Sequence, residues 1–148
     1  MGHSIRAFIA KAQTIQEISA HWVHAEKHDL PQGYALAYLN DDLFDDIEEL
    51  FDEPNTRSDP ALPYLTDSVI AFLMQESRST QIIYLETDYF GGCGTQAGVL
   101  FENGKLCAGP ESGNGAINRL LRRIGVCREK HKDEFDSLML FRFRHMDS

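Results

Sequence analysis

Asn103-Gly104 stands between two stretches suited to β-strands. Ala97, Val99 and Phe101 recur at alternate positions before it, and residues 105–107 can return alongside them. Asn-Gly is the preferred pair for a type I′ turn, because both central positions need positive φ. A two-residue loop can join only antiparallel neighbours, since a parallel pair needs a crossover of a dozen or more residues. The dipeptide therefore predicts a hairpin over residues 95–107. Residues 81–89, rich in β-branched and aromatic side chains, precede it and extend the hairpin into an antiparallel meander.

The rest of the chain is read around that meander. Ile5, Ala7 and Ile9 alternate, which predicts a strand over residues 5–11. Thr14 and Glu17 have capping-box spacing, and Ile15, Ile18 and Trp22 follow at helical intervals, so a helix is expected over residues 15–22. Pro31-Gln32-Gly33 marks a turn, and residues 34–39 read as a second strand. Asn40 or Asp41 caps a periodic helix whose stripe is Leu43, Phe44, Ile47, Leu50 and Phe51, with Pro54 ending it. A loop over 55–63 leads to a helix over 66–76 that buries Leu65, Val69, Phe72 and Leu73. After a loop at 109–115, residues 116–124 form a helix with Gly125 at C′. Arg122 and Arg123 suit the negative end of its dipole. Residues 138–144 alternate hydrophobic and basic side chains and read as a final edge strand. The fold expected is α+β: a single domain over residues 1–148, with one antiparallel-rich sheet, a central hairpin and helices packed on one face.

Charge separates the two halves of this 148-residue chain. Residues 1–80 contain 14 acidic and 5 basic side chains, whereas residues 81–148 contain 9 of each, so the whole net charge of −9 lies in the first half. An acidic field repels nucleic acid and anionic membrane and attracts basic partners. No apolar run approaches the roughly 20 residues needed to span a bilayer. Phe8-Ile9-Ala10 is too short for a secretory leader and is followed by Lys11. Cys93, Cys107 and Cys127 are odd in number and widely spaced, which implies neither a disulfide framework nor a zinc site. The expected compartment is the cytoplasm.

Several segments invite a chemical reading. Glu86 and Asp88, two apart on a strand, share a face as paired carboxylates do in acid–base sites. Two solvated acids on a sheet surface are commoner. Gly91, Gly92 and Gly94 surround Cys93, but a strand follows them rather than the helix N-terminus that gives phosphate loops their power, so a bulge or wide turn is expected. Cys93 has no local base to form a thiolate. His21, His24 and His28 would form a row only on one continuous helix, and the predicted helix ends near Trp22. Arg119, Arg122, Arg123 and Arg128 are expected to complement a helix dipole and the chain's own acids. No catalytic residue, metal or cofactor is assigned.

The acidic helix is the better functional candidate. Its outer face carries Asp42, Asp45, Asp46, Glu49, Asp52 and Glu53, and no Lys or Arg lies within the run. Like charges at i,i+4, such as Asp42 with Asp46, each cost a few tenths of a kcal/mol. Helices that keep such repulsion often use it in binding. This acidic helix on an α+β body resembles small acidic bacterial toxin-immunity proteins. Residues 81–144, with Gly91-Gly92-Cys93-Gly94-Thr95-Gln96 followed by Asn103-Gly104, also look like small bacterial proteins that share a GGxGxQ…NG core. The first resemblance implies neutralisation of a basic toxin, for example a nuclease, by direct binding through the six carboxylates. A small enzyme built on residues 86–96, or a regulatory adaptor domain, is the alternative. No nucleic-acid or membrane partner is expected.

Overall fold

The computed structural model describes residues 2–56, 59–90 and 93–146, the side chains of Phe90 and Cys93 excepted. Six strands form one sheet: β1 (His3–Lys11), β2 (His28–Asp29), β3 (Tyr34–Tyr38), β4 (Gln81–Phe90), β5 (Cys93–Glu102) and β6 (Lys105–Ser112). Their spatial order is β2-β3-β1-β4-β5-β6, and every pairing is antiparallel. The helices are α1 (Ala12–His21), α2 (Asp41–Phe51), α3 (Asp67–Glu76), α4 (Ala116–Arg123) and α5 (Glu134–Ser137). No helix among the described residues is long and apolar enough to cross a membrane.

The α+β class and the antiparallel sheet are as the sequence predicts, but the helices cover both faces rather than one. The cause lies in the central strands. Alternate residues of a strand point to opposite faces, and β1 is apolar at Ala7, Phe8, Ile9 and Ala10 without interruption, all of them buried. Phe8, Ala10, Ile82, Tyr84, Val99 and Phe101 pack with Ile15, Ile18, Leu43, Ile47, Val69 and Phe72, so α1, α2 and α3 cover one face. Ile5, Ala7, Ile9, Ile83, Leu85 and Leu100 pack with Ile117, Leu120, Leu121, Leu138 and Leu140 on the other. Fully burying one such side chain contributes about 1.5–3 kcal/mol, so neither face can be left open to water.

Local chemistry explains most boundaries. Glu102 pairs with Lys105 across Asn103 (φ 55°) and Gly104 (φ 77°), the expected type I′ geometry. Helix α3 starts after Thr66, whose hydroxyl accepts the Val69 amide, and buries Val69, Phe72 and Leu73. Helix α4 ends with the Val126 amide on the Leu121 carbonyl and the Gly125 amide on that of Arg122, and Gly125 has φ 100°. That is the Schellman pattern for which glycine is suited.

Other expectations need correction. Helix α1 begins at Ala12, ahead of Thr14. The Thr14 hydroxyl meets that of Thr80, and Glu17 bonds to Gln13, so no capping box forms. On α2, Leu43 and Ile47 are buried and Phe44 and Phe51 half-buried, while Leu50 is 66% exposed. Residues 138–144 are not a strand. Asp133 caps α5 by accepting the Asp136 amide, Met139 turns the chain at φ 59°, and Leu140–Arg142 form a 3-10 turn. Leu138 and Leu140 are both buried against the second face, whatever their alternation suggests. The tail does reach the sheet, where the Ser4 amide donates to the Arg144 carbonyl and Ser4 bridges His145. It thereby occupies the edge of β1 that β3 leaves unpaired.

Gly98 marks the contact between β5 and α4. A Cβ there would lie 2.8 Å from Leu120 Cδ1 and 2.9 Å from the Tyr84 carbonyl oxygen. Gly98→Ala is expected to lower stability by about 1–3 kcal/mol, the usual cost of overpacking. Urea denaturation measures it, and an unchanged midpoint would show that α4 does not rest on the sheet at this distance.

Candidate functional site

The sequence places the candidate site on α2. Asn40 caps the helix by accepting the Leu43 amide at 2.8 Å, and Asp41 and Asp42 fill its first turn, where the helix dipole favours acids. Leu43 and Ile47 point into the core, so the acids between them turn outward. Asp42, Asp45, Glu49, Asp52 and Glu53 are exposed, and Asp46 is half-buried. The run is less bare of partners than its sequence indicates. Arg6 reaches Asp41 at 2.9 Å, His24 meets Asp46 at 2.7 Å, and Glu48 accepts the Thr66 hydroxyl at 2.8 Å. The hydrogen bond to Asp46 raises the pKa of His24, with Asp42 adding to the effect. Leu50 stands among these acids beside a cleft of about 340 Å³ formed with Trp22, His21, Glu17, Gln75 and Glu76. Trp22 stacks on Phe51, with ring centroids 6.2 Å apart.

A second site lies where β1 and β4 run past the core. Arg6 pairs with Glu86 across the strands. Glu86 is buried, and its Oε2 accepts the Tyr84 hydroxyl at 2.8 Å and the Tyr64 amide at 3.1 Å. The Arg6 guanidinium lies 3.9 Å from the centroid of the Tyr64 ring. Burial raises the pKa of Glu86, against the opposing hydrogen bonds and the charge of Arg6. Burial, then the adjacent carboxylate, holds the Tyr84 hydroxyl well above its ordinary value. Glu86 and Asp88 both line a cleft of about 290 Å³ with Arg6 and Tyr64, and Asp88 is exposed. The two acids thus share a face as expected, but in unlike surroundings.

The remaining candidates do not converge. Gly91, Gly92 and the Cys93 side chain lie outside the described residues. Gly94 packs so tightly that a Cβ would stand 2.0 Å from the Asp88 carbonyl oxygen. Cys107 and Cys127 are exposed free thiols. His21 ends α1, His24 pairs with Asp46, and His28 lies in β2 against Tyr38 and Phe143, so the three share no helix. Arg119 pairs with Glu111 and Arg122 with Glu134.

On the opposite face, His3, Thr87, Tyr89 and Gln96 meet Asn118, Phe135, Phe141 and Arg144 around a cleft of about 490 Å³. Sequence reasoning missed His3, Arg6, Glu86 as a buried acid, and Arg144. The pairing of Arg6 with Glu86 depends on strand register, and the place of Arg144 depends on a tail that alternates like a strand but folds otherwise. Comparison with known proteins finds no matching family model, no matching curated protein and no matching solved structure.

The raised pKa of Glu86 fixes the sign of a pH effect. A carboxyl that holds its proton more tightly when folded gives its full stability below the unfolded pKa and loses it as pH rises through the folded value. Glu86→Gln has no proton to lose and can still accept both hydrogen bonds. Between about pH 4 and pH 8 its stability relative to the wild type is expected to improve as pH rises. Urea midpoints at several pH values check this, and a pH-independent difference would show that Glu86 titrates alike in both states.

Proposed function

We propose that the protein is a binding protein whose α2 face meets a basic macromolecular partner. The reading preferred is neutralisation of a basic toxin, such as a nuclease, in the cytoplasm of a bacterium. The observation that carries it is the setting of Leu50, a large apolar side chain 66% exposed among Asp46, Glu49 and Glu53. Carboxylates steer a cationic partner and raise the association rate, while an apolar anchor slows dissociation. A run kept for solubility alone has no use for the anchor. The Trp22–Leu50 cleft offers room beside it for an apolar side chain flanked by Lys or Arg.

A small enzyme using residues 86–96 is the second reading. It is favoured by one buried and one exposed carboxyl in a shared cleft, an arrangement that sets acid and base apart. No histidine among the described residues lines that cleft.

The test begins with capture of a partner on the immobilised protein from its native cells, identified by mass spectrometry. Asp42, Asp45, Asp46 and Glu49 are then replaced together by Asn and Gln, and association is followed at low and high salt. The wild type is expected to associate about tenfold or more faster at low salt, with the difference shrinking as the screening length falls toward 3 Å at about 1 M. Leu50→Ala is expected to raise the dissociation rate without lowering stability. Equal association at low salt, with the variant folded, would leave the acidic run as solvated surface only.

A further inference from the structure

One cleft belongs to neither reading. It lies on the α4–α5 face of the sheet, away from α2, where His3, Thr87, Tyr89 and Gln96 continue the strand positions that are apolar further in. Its volume of about 490 Å³ falls within the range of small-molecule sites, about 300–1,000 Å³. Tyr89, Phe135 and Phe141 supply apolar wall, and Phe141 is 47% exposed.

Most polar groups of the wall are already engaged. The two His3 ring nitrogens meet the Thr87 hydroxyl at 2.7 Å and the Leu140 carbonyl at 3.2 Å. Thr87 Oγ1 also accepts the Ile5 amide. Gln96 donates to the Tyr89 hydroxyl and accepts the Ile117 amide. Asn118 donates to Asp133 and accepts the Phe135 amide, and the other Asp133 oxygen accepts the Asp136 amide. Asp133, the one acid of the wall among the described residues, therefore has one oxygen in the α5 cap and the other on Asn118 of α4. Arg144 differs. Its Nε donates to the Gly2 carbonyl at 3.0 Å, and its terminal nitrogens make no hydrogen bond or ion pair among the described residues. Burial lowers the pKa of His3 against the opposing hydrogen bond to the Leu140 carbonyl, and the charges of Arg144 and His145 act in the same direction as burial. The cleft thus combines an apolar aromatic wall, a locked polar frame and one available guanidinium, which is the residue type suited to planar anions.

We infer that this cleft binds a small organic anion with a flat apolar body, an aryl carboxylate or sulfonate whose head meets Arg144 and whose ring lies against Phe135 and Phe141. The site is independent of the α2 face, so either can fail without the other.

The probes are 2-naphthoate and its neutral counterpart naphthalene-2-carboxamide, titrated into the whole protein by calorimetry and by amide chemical shifts. One-to-one saturable binding of 2-naphthoate is expected, with shifts at Thr87, Gln96, Asn118 and Phe135. The amide should bind about tenfold more weakly, the loss of one charge-assisted pair. Arg144→Gln should bring the two affinities together, and Arg144→Lys should restore part of the preference. Phe141→Ala, on the exposed rim, should weaken both ligands alike and keeps the proposal open to test if Arg144 variants fold poorly. No saturable binding, shifts confined to other surfaces, equal affinity for the two probes, or a preference that survives in folded Arg144→Gln would each overturn it.

Discussion

The pairing of β1 with β4 sets the form of everything around it. Their register places Ala7 opposite Leu85, Phe8 opposite Tyr84 and Ile9 opposite Ile83, so both faces of the sheet are apolar at its centre. Two strands of this kind cannot serve at an edge or face water, and the chain answers with β3 and β5 beside them and helices on both sides. The same ladder then runs further than the helices cover. Beyond Ala7 and Leu85 one face continues with His3, Thr87 and Tyr89, and the other with Ser4, Arg6, Glu86 and Asp88. Both clefts at this end are therefore products of one geometry: strands longer than their core, with polar side chains where the cover stops.

Charge follows the same two-sided division. Residues 12–76, which supply α1, α2 and α3, carry fourteen acids against two Lys or Arg, whereas residues 113–148 carry five acids and eight bases. Packed layers lie about 10 Å apart, so the helix axes on the two sides of the sheet stand roughly 20 Å apart and the outer surfaces of the two layers about 30 Å. The screening length at physiological salt is about 8 Å. The faces therefore present separate fields, and a partner or ligand at one scarcely senses the other. On the second face several bases are spent internally, Arg119 on Glu111 and Arg122 on the buried Glu134.

How much of this was legible in the sequence depended on how far each feature is determined by its neighbours. The Asn103-Gly104 turn, the Asn40 cap, the Thr66–Glu76 region and the Gly125 terminus rest on contacts within a few residues and read correctly. Thr14 failed because a hydroxyl 66 positions away in the chain, that of Thr80, competes for it. Residues 138–144 failed because alternation alone does not distinguish a strand from a tail anchored at Leu138 and Leu140 with a left-handed break at Met139. The one-sided cover failed for a simpler reason. Ala7-Phe8-Ile9-Ala10 is a continuous apolar run, the mark of a strand buried on both faces, and the Ile5, Ala7, Ile9 alternation accounts for only one of them. The acids of α2 were visible as a surface, but the partners Arg6 and His24, and the exposure of Leu50, needed the packed helix.

Helix α2 bears a considerable internal cost. Asp42 with Asp46 and Asp45 with Glu49 each cost a few tenths of a kcal/mol. Asp52 and Glu53 sit at the end of the helix where the dipole disfavours acids by about 0.3–1 kcal/mol each. Against this stand the Asn40 cap, about 1 kcal/mol, and the burial of Leu43 and Ile47, about 1.5–3 kcal/mol apiece. Those terms outweigh the repulsion among the acids, with Phe44 and Phe51 adding partial burial. Leu50 then has no task in keeping α2 folded, since most of its surface already faces water. The forces that form the helix and the features that mark its outer face are carried by different side chains. For that reason charge and apolar contact on this face can each be altered while the core beneath stays as it is.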